Sequence, residues 1–170
     1  MNKIPSVNLL EFLSNDPKVK QQFVDKIGEA YETIGFVALK GHFLDDALVD
    51  TLYSEIKKFF DLSTAEKQKY EVPGIGGQRG YVSFGKESAK GKKEGDLKEY
   101  WHFGQFVENN PKLEAEYHKN IEVLELEKFN AVGKQTYKML EKTAKYVLRA
   151  LAIHLELDEY YFDNYIHNGN

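Results

Sequence analysis

The feature that most constrains this chain is one continuous apolar seam in its second half. Leu126, Phe129, Gly133, Tyr137, Leu140, Ala144, Val147, Leu148 and Leu151 recur at steps of three and four residues. That spacing predicts one long amphipathic helix from about Glu122 to Leu155. Shorter helices are predicted before it. Asp16-Pro17 is a capping residue followed by a proline that loses nothing at the first helical position, and Val19, Phe23, Ile27, Tyr31 and Ile34 follow at helical spacing until Gly35. Asp45 or Asp46 opens a second helix with the stripe Leu48, Leu52, Ile56 and Phe59-Phe60. Ser63 and Glu66 in "STAE" form a capping box for a short third helix ending near Tyr70. "DEYYFDNYI" reads as one more short turn or helix.

Extended pieces are few. "IPSVNLLEF" is a candidate edge strand, because Pro5 cannot donate to a ladder, and Phe36 to Leu39 reads as a short buried strand. "EYWHFGQFV" alternates polar and apolar residues and reads as another strand. Between Glu71 and Lys98 there is no periodicity, only Pro73, seven glycines and several lysines. A connection of that length is uncommon unless functional or mobile. The fold class expected is α+β, predominantly helical with a few short strands, in a single domain over residues 1–170.

Function classes are narrowed mainly by exclusion. A net charge of −4 argues against a general affinity for nucleic acid or anionic membranes, and no apolar run suggests a membrane span. The N-terminus lacks a signal-peptide pattern, and the absence of cysteine excludes disulfides, thiolate catalysis and thiolate metal sites. A cytoplasmic location is the expectation. "GQRGYVSFGKE" at 77–87 has Walker-like spacing, but Glu87 stands where a hydroxyl must hold magnesium and no apolar helix follows. The segment from Arg79 to Lys98 carries six cations (Arg79, Lys86, Lys90, Lys92, Lys93, Lys98) against three acids, and the central lysines read as a solvated loop. Arg79, beside Gly80-Tyr81, is different: a guanidinium there suits a bidentate carboxylate clamp. A non-haem iron site needs two His and one carboxylate on one side of the metal. The only H-x-[DE] is His154-Leu155-Glu156, which in a helix points its two donors apart, so His154 reads as a surface or packed histidine. His102 reads as structural. No metal ligand and no catalytic residue is assigned.

The order of the segments then carries a resemblance. "IPSVNL", "AYETIGFVALKGH" (with His42, and Lys40 where Asn is usual), "FFDLSTAEKQKY", "QRGYVSFGKES", "GDLKEYWHFG" and "LAIHLELDEYYF" are similar, in order, to segments of the isopenicillin N synthase-like 2-oxoglutarate- and iron(II)-dependent oxygenases. The resemblance implies that this chain is the largely helical N-terminal region of such an enzyme. A jelly-roll (double-stranded β-helix) would follow residue 170, holding iron through H-x-D and a distant His, with an Arg for 2-oxoglutarate. It implies a parent oxidoreductase using Fe(II) and 2-oxoglutarate on a small organic substrate, anionic if Arg79 contacts it. This chain alone would be inactive and bind neither cofactor. Arg79 and Tyr81 are carried over as substrate-binding positions, and the chain's partner would be its own C-terminal jelly-roll. The abrupt end at "HNGN", just after four aromatics, fits a cut in something larger. The competing expectation is a self-contained, non-catalytic binding or interaction module.

Overall fold

The computed structural model describes residues 3–88, 90, 91, 94–108 and 110–167. Lys92 and Lys93 of the basic segment and the "NGN" of the last four residues lie outside them. The chain divides into two compact units, one of residues 1–45 with 138–169, the other essentially 46–137.

The first unit contains β1 (Ser6–Asn8), α1 (Leu9–Phe12), α2 (Pro17–Thr33), β2 (Ala38–Lys40), the second part of α6 (Glu127–His154) and α7 (Asp163–Ile166). Asp16 caps α2 as its sequence predicts, accepting from the Lys18 amide at 2.8 Å. The helix ends where Gly35, at φ +77°, turns its amide back to the Ala30 carbonyl. Phe23, Val24 and Ile27 bury the inner face of α2 against Val7, Leu9, Phe12 and Ala150. β1 and β2 pair in parallel, Val7 opposite Leu39. The expected buried strand at Phe36–Leu39 is displaced: β2 begins at Ala38, its residues alternate exposed and half-buried, and Phe36 is 68% exposed. A two-stranded sheet covers only one of its faces, so β2 lacks the burial its apolar residues suggest.

The second unit contains α3 (Asp46–Phe60), α4 (Thr64–Gln68), β3 (Gly80–Val82), β4 (Tyr100–His102), α5 (Pro111–Glu116) and the first part of α6. The capping box is complete: Ser63 Oγ accepts from the Glu66 amide and Glu66 accepts from the Ser63 amide at 3.0 Å. Phe59, Tyr70, Tyr81, Val123 and Phe129 form the core, with Trp101 and Phe103 packed on it. Phe59 stacks on Phe129 with ring centroids 5.3 Å apart. A Cβ on Gly133 would collide with the Phe103 ring, so this glycine in the apolar seam is a close-packing contact.

Other elements also differ from expectation. The long helix starts at Glu127, about one turn late, because the Asn130 side chain takes the Val123 amide and donates to its carbonyl, each at 2.9 Å. Those bonds hold the buried Val123 in irregular backbone ahead of the helix. The strand expected over 99–107 is only three residues long, paired antiparallel with β3, which lies inside the segment read as irregular. α5 buries nothing and so has no apolar stripe to reveal it; its signal was Asn110-Pro111, the same cap-and-proline pair as Asp16-Pro17.

Candidate functional site

Residues 71–74, 76, 77, 81 and 82 line one side of a cavity of about 320 Å³ in the second unit, and Arg79 is not among its lining residues. Its shape depends on glycine. Gly74, Gly76 and Gly77 all have φ between +59° and +82°, a region that side chains disfavour. Gly80 is required twice over, by φ +76° and by a site where a Cβ would lie 2.5 Å from the Tyr70 carbonyl oxygen. That close approach lets the Tyr81 amide donate to the same oxygen at 3.1 Å. Tyr81, Val82 and Tyr100 contribute the apolar part of the lining, and Glu71, Lys86 and Glu87 the charged part.

The charged residues are already engaged with one another. Glu71 accepts from the Ser83 amide at 3.0 Å and lies 3.7 Å from Lys86. Glu87, the residue that breaks the Walker pattern, pairs with Lys98 at 2.6 Å and accepts from the Tyr100 hydroxyl at 2.5 Å. Hydrogen bonds from Lys98 and then Tyr100 hold the Glu87 carboxyl below its ordinary range. Burial, reinforced by the Glu87 hydrogen bond and charge, pushes the Tyr100 phenol up to about 12. Lys98 also lies 3.5 Å from Asp96. Lys86, one of the central lysines read from sequence as solvated, is 61% exposed and lies beside Glu71, while Lys98 sits between Glu87 and Asp96.

Behind this wall is a buried ionic cluster. Lys67 donates to both oxygens of Glu99, at 2.8 and 2.9 Å, and to the Phe60 carbonyl at 3.2 Å. The Tyr81 hydroxyl donates to Glu99 as well. Burial alone would raise the Glu99 carboxyl, but the Lys67 and Tyr81 hydrogen bonds and the Lys67 charge outweigh it and hold it below the usual range. Burial, followed by the Glu99 hydrogen bond and charge, raises the Tyr81 phenol well above its ordinary value. Tyr81 is therefore a neutral donor, with its ring in the core and its hydroxyl on Glu99.

Arg79 is 4% exposed, and its partners are backbone carbonyls. Nε donates to the His118 carbonyl at 3.1 Å and Nη1 to the Gln78 carbonyl at 2.6 Å. Among the described residues no carboxylate pairs with it, and Nη2 makes no hydrogen bond. Arg79 and Tyr81 are neighbours in sequence but are held by different groups: Tyr81 by the Lys67–Glu99 cluster, Arg79 by the segment around His118. That cluster and the His118 contact were not identified from the sequence, because their partners lie 32 and 39 residues apart with no local signature.

The histidines do not converge. His154 ends α6 and its Nε2 lies 3.0 Å from Glu32, while Glu156 sits beyond the helix at φ +59°. His102 Nδ1 lies 2.8 Å from the Gly77 carbonyl, which ties β4 to the glycine turn. Among the described residues no group of three or more His, Asp or Glu side chains could hold a metal ion. The described residues therefore do not fit a resident iron. No helix among the described residues is long and apolar enough to cross a membrane.

Comparison with known proteins decides the family. Residues 4–123 match the family described as non-haem dioxygenase in morphine synthesis, N-terminal. The chain belongs to this family. Its relatives include a 2-oxoglutarate-Fe(II) type oxidoreductase of Aspergillus fumigatus, 29% identical over 94% of this chain and 49% of the relative. A 1-aminocyclopropane-1-carboxylate oxidase of Dictyostelium discoideum is 25% identical over 99% of this chain and 47% of that protein. Among solved structures, a 2OG-Fe(II) oxygenase family protein from Caulobacter crescentus superposes with a TM-score of 0.82 at 31% identity, covering 96% of this chain and 52% of that one. A C-terminally truncated Neurospora crassa protein in its apo form matches with a TM-score of 0.79 at 24% identity, over 98% of this chain and 58% of that one, a likeness of fold alone. This dioxygenase N-terminal chain spans about half the length of the curated relatives it matches.

Proposed function

We propose that residues 1–170 form a single N-terminal domain of a non-haem Fe(II), 2-oxoglutarate-dependent oxygenase, acting as scaffold and as one wall of its substrate pocket. The observation that carries this reading is the family match over residues 4–123 in a chain half as long as its relatives. On this reading a C-terminal jelly-roll supplies the iron ligands and the 2-oxoglutarate clamp. Iron held there would supply the dioxygen chemistry, with 2-oxoglutarate as the co-substrate that would leave as succinate and carbon dioxide.

This chain's own residues would bind and orient. Tyr81, Val82 and Tyr100 offer an apolar cavity wall. The Lys67–Glu99 cluster holds the Tyr81 hydroxyl, so the ring cannot turn into the cavity. Arg79 would meet an anionic substrate through Nη2, the guanidinium nitrogen without a hydrogen bond among the described residues. The test uses the whole protein that carries this chain, supplied with Fe(II) and 2-oxoglutarate and screened for succinate release against a panel of small organic acids and neutral analogues. Iron-dependent succinate release stimulated by a panel member is expected. Arg79→Ala should then raise KM for an anionic substrate with little change in kcat. No succinate release under any condition would overturn the oxygenase reading, and an unchanged KM would remove Arg79 from the substrate site.

A further inference from the structure

In the second unit, the stretch from Gly104 to Ile121 is fastened at its ends and nearly bare in its middle. α5 contributes no buried residue, whereas Gly104 and Gln105 are buried. Asn120 joins the two ends. Its Oδ1 accepts from the Gly104 amide at 2.7 Å, and its Nδ2 donates to the carbonyls of Gly104 at 3.0 Å and Gln105 at 3.3 Å. Arg79 holds the same neck from just before β3: Nε reaches the His118 carbonyl, and the guanidinium packs so closely on Gly104 that a Cβ there would overlap it. The Tyr137 hydroxyl on Gln105 Oε1, at 3.0 Å, fixes the first strand of the neck to α6. The span between the tied ends, residues 106–119, has the length of an Ω-loop, a surface loop whose ends are close.

The loop bounds a cavity of about 510 Å³, lined by Phe106, Glu108, Tyr117, His118 and Asn120 from the loop and by Lys134 from α6. Across the cavity the loop also meets α6 through the exposed Glu108–Lys134 pair at 2.7 Å, the kind of contact that contributes little, and through the Phe106 ring, which lies edge-on to Tyr137 at 5.5 Å and under Lys134. The neck bonds are part-buried, with Arg79 itself almost fully enclosed, and those of Arg79 are charge-assisted. A segment with a strong neck and an exposed, sparsely packed body opens locally before the domain unfolds.

We propose that Arg79 and Asn120 form a clasp that keeps this loop closed over the cavity, and that breaking the clasp opens the loop while the rest of the second unit stays folded. The clasp uses Nε and the guanidinium face, not Nη2, and stands on this geometry whether or not Arg79 also meets a substrate. Arg79 is in this role a positioning residue.

The test is limited trypsin digestion followed by mass spectrometry, without any substrate. Cleavage after Lys112 and Lys119 reports loop opening, and cleavage after Lys138 and Lys142 in α6 reports general unfolding. Asn120→Ala should raise loop cleavage about tenfold relative to α6 cleavage, the effect of removing the three part-buried hydrogen bonds of its side chain. Arg79→Lys, which keeps the charge but loses the planar fork, should shift the ratio in the same direction. If Asn120→Ala does not fold, Arg79→Lys carries the test through the same ratio of Lys112 to α6 cleavage. A ratio unchanged in the variants overturns the clasp, as does acceleration of all sites together.

Discussion

Lys67→Met is the perturbation that most sharply tests how the Tyr81 segment is held. Lys67 and Glu99 side chains are only 8% and 17% exposed, so their attraction is poorly screened and neither can easily turn to water. Removing Lys67 deletes three hydrogen bonds and leaves the Glu99 carboxylate with the Tyr81 hydroxyl as its remaining donor. Breaking one partner out of a buried pair costs about 3 kcal/mol. With a urea m-value of about 2 kcal/mol/M for a chain of this size, the unfolding midpoint should fall by about 1.5 M. Glu99→Leu should cost a comparable amount. The double variant should lose markedly less than the two singles combined, because no charge is then stranded. The pH dependence has a fixed sign. Glu99 is depressed in the folded chain, so its contribution is present above the unfolded carboxylate range near pH ~4.3 and is lost as pH falls through the folded value. The gap between wild type and Glu99→Gln should therefore persist at pH 5 and close only in stronger acid. Additive single and double variants, or a gap that closes by pH 5, would refute the buried pair as the holder of Tyr81.

Other consequences are simpler to check. Gly133→Ala should destabilise the chain by about 1–3 kcal/mol, since its methyl collides with the Phe103 ring, and a thermal melt would show it. Ser63→Ala should cost about 1 kcal/mol through loss of the α4 cap, measured by urea unfolding, while Ser63→Asp should recover most of it. At the alkaline end, Tyr81 and Tyr100 have raised phenols in the folded chain, so their contribution is full below pH ~10 and is lost as pH rises further. Stability followed by circular dichroism should fall above pH 10, and less so in Tyr100→Phe.

What could be read from sequence was local. Asp16-Pro17, Gly35 and the Ser63–Glu66 box act within one helical turn, and each stands where its chemistry demands. The apolar seam of α6 was legible because burial repeats every turn, but its first turn was not: Asn130 holding Val123 is a side-chain contact that periodicity does not encode. α5 and β3 escaped for opposite reasons. α5 buries nothing, and β3 has all three residues buried, so neither alternates. For the candidate site, the "RGY" stretch drew attention for Gly80 and for a charge beside an aromatic, but the roles of its neighbours depend on distant partners. The His118 carbonyl that receives Arg79 carries no residue-type signal, since any amino acid offers it. Lys67 and Glu99 were each ordinary on a charged chain until the fold buried them together.

On the proposed function the iron ligands belong to a jelly-roll rather than to residues 1–170, and a calorimetric titration of iron(II) into the 170-residue chain under anaerobic conditions tests that most directly. The expected result is heat of dilution alone, with no stoichiometric site. A one-to-one isotherm abolished by His154→Ala would contradict it and would make His154 and Glu156 a metal site despite their divergent placement.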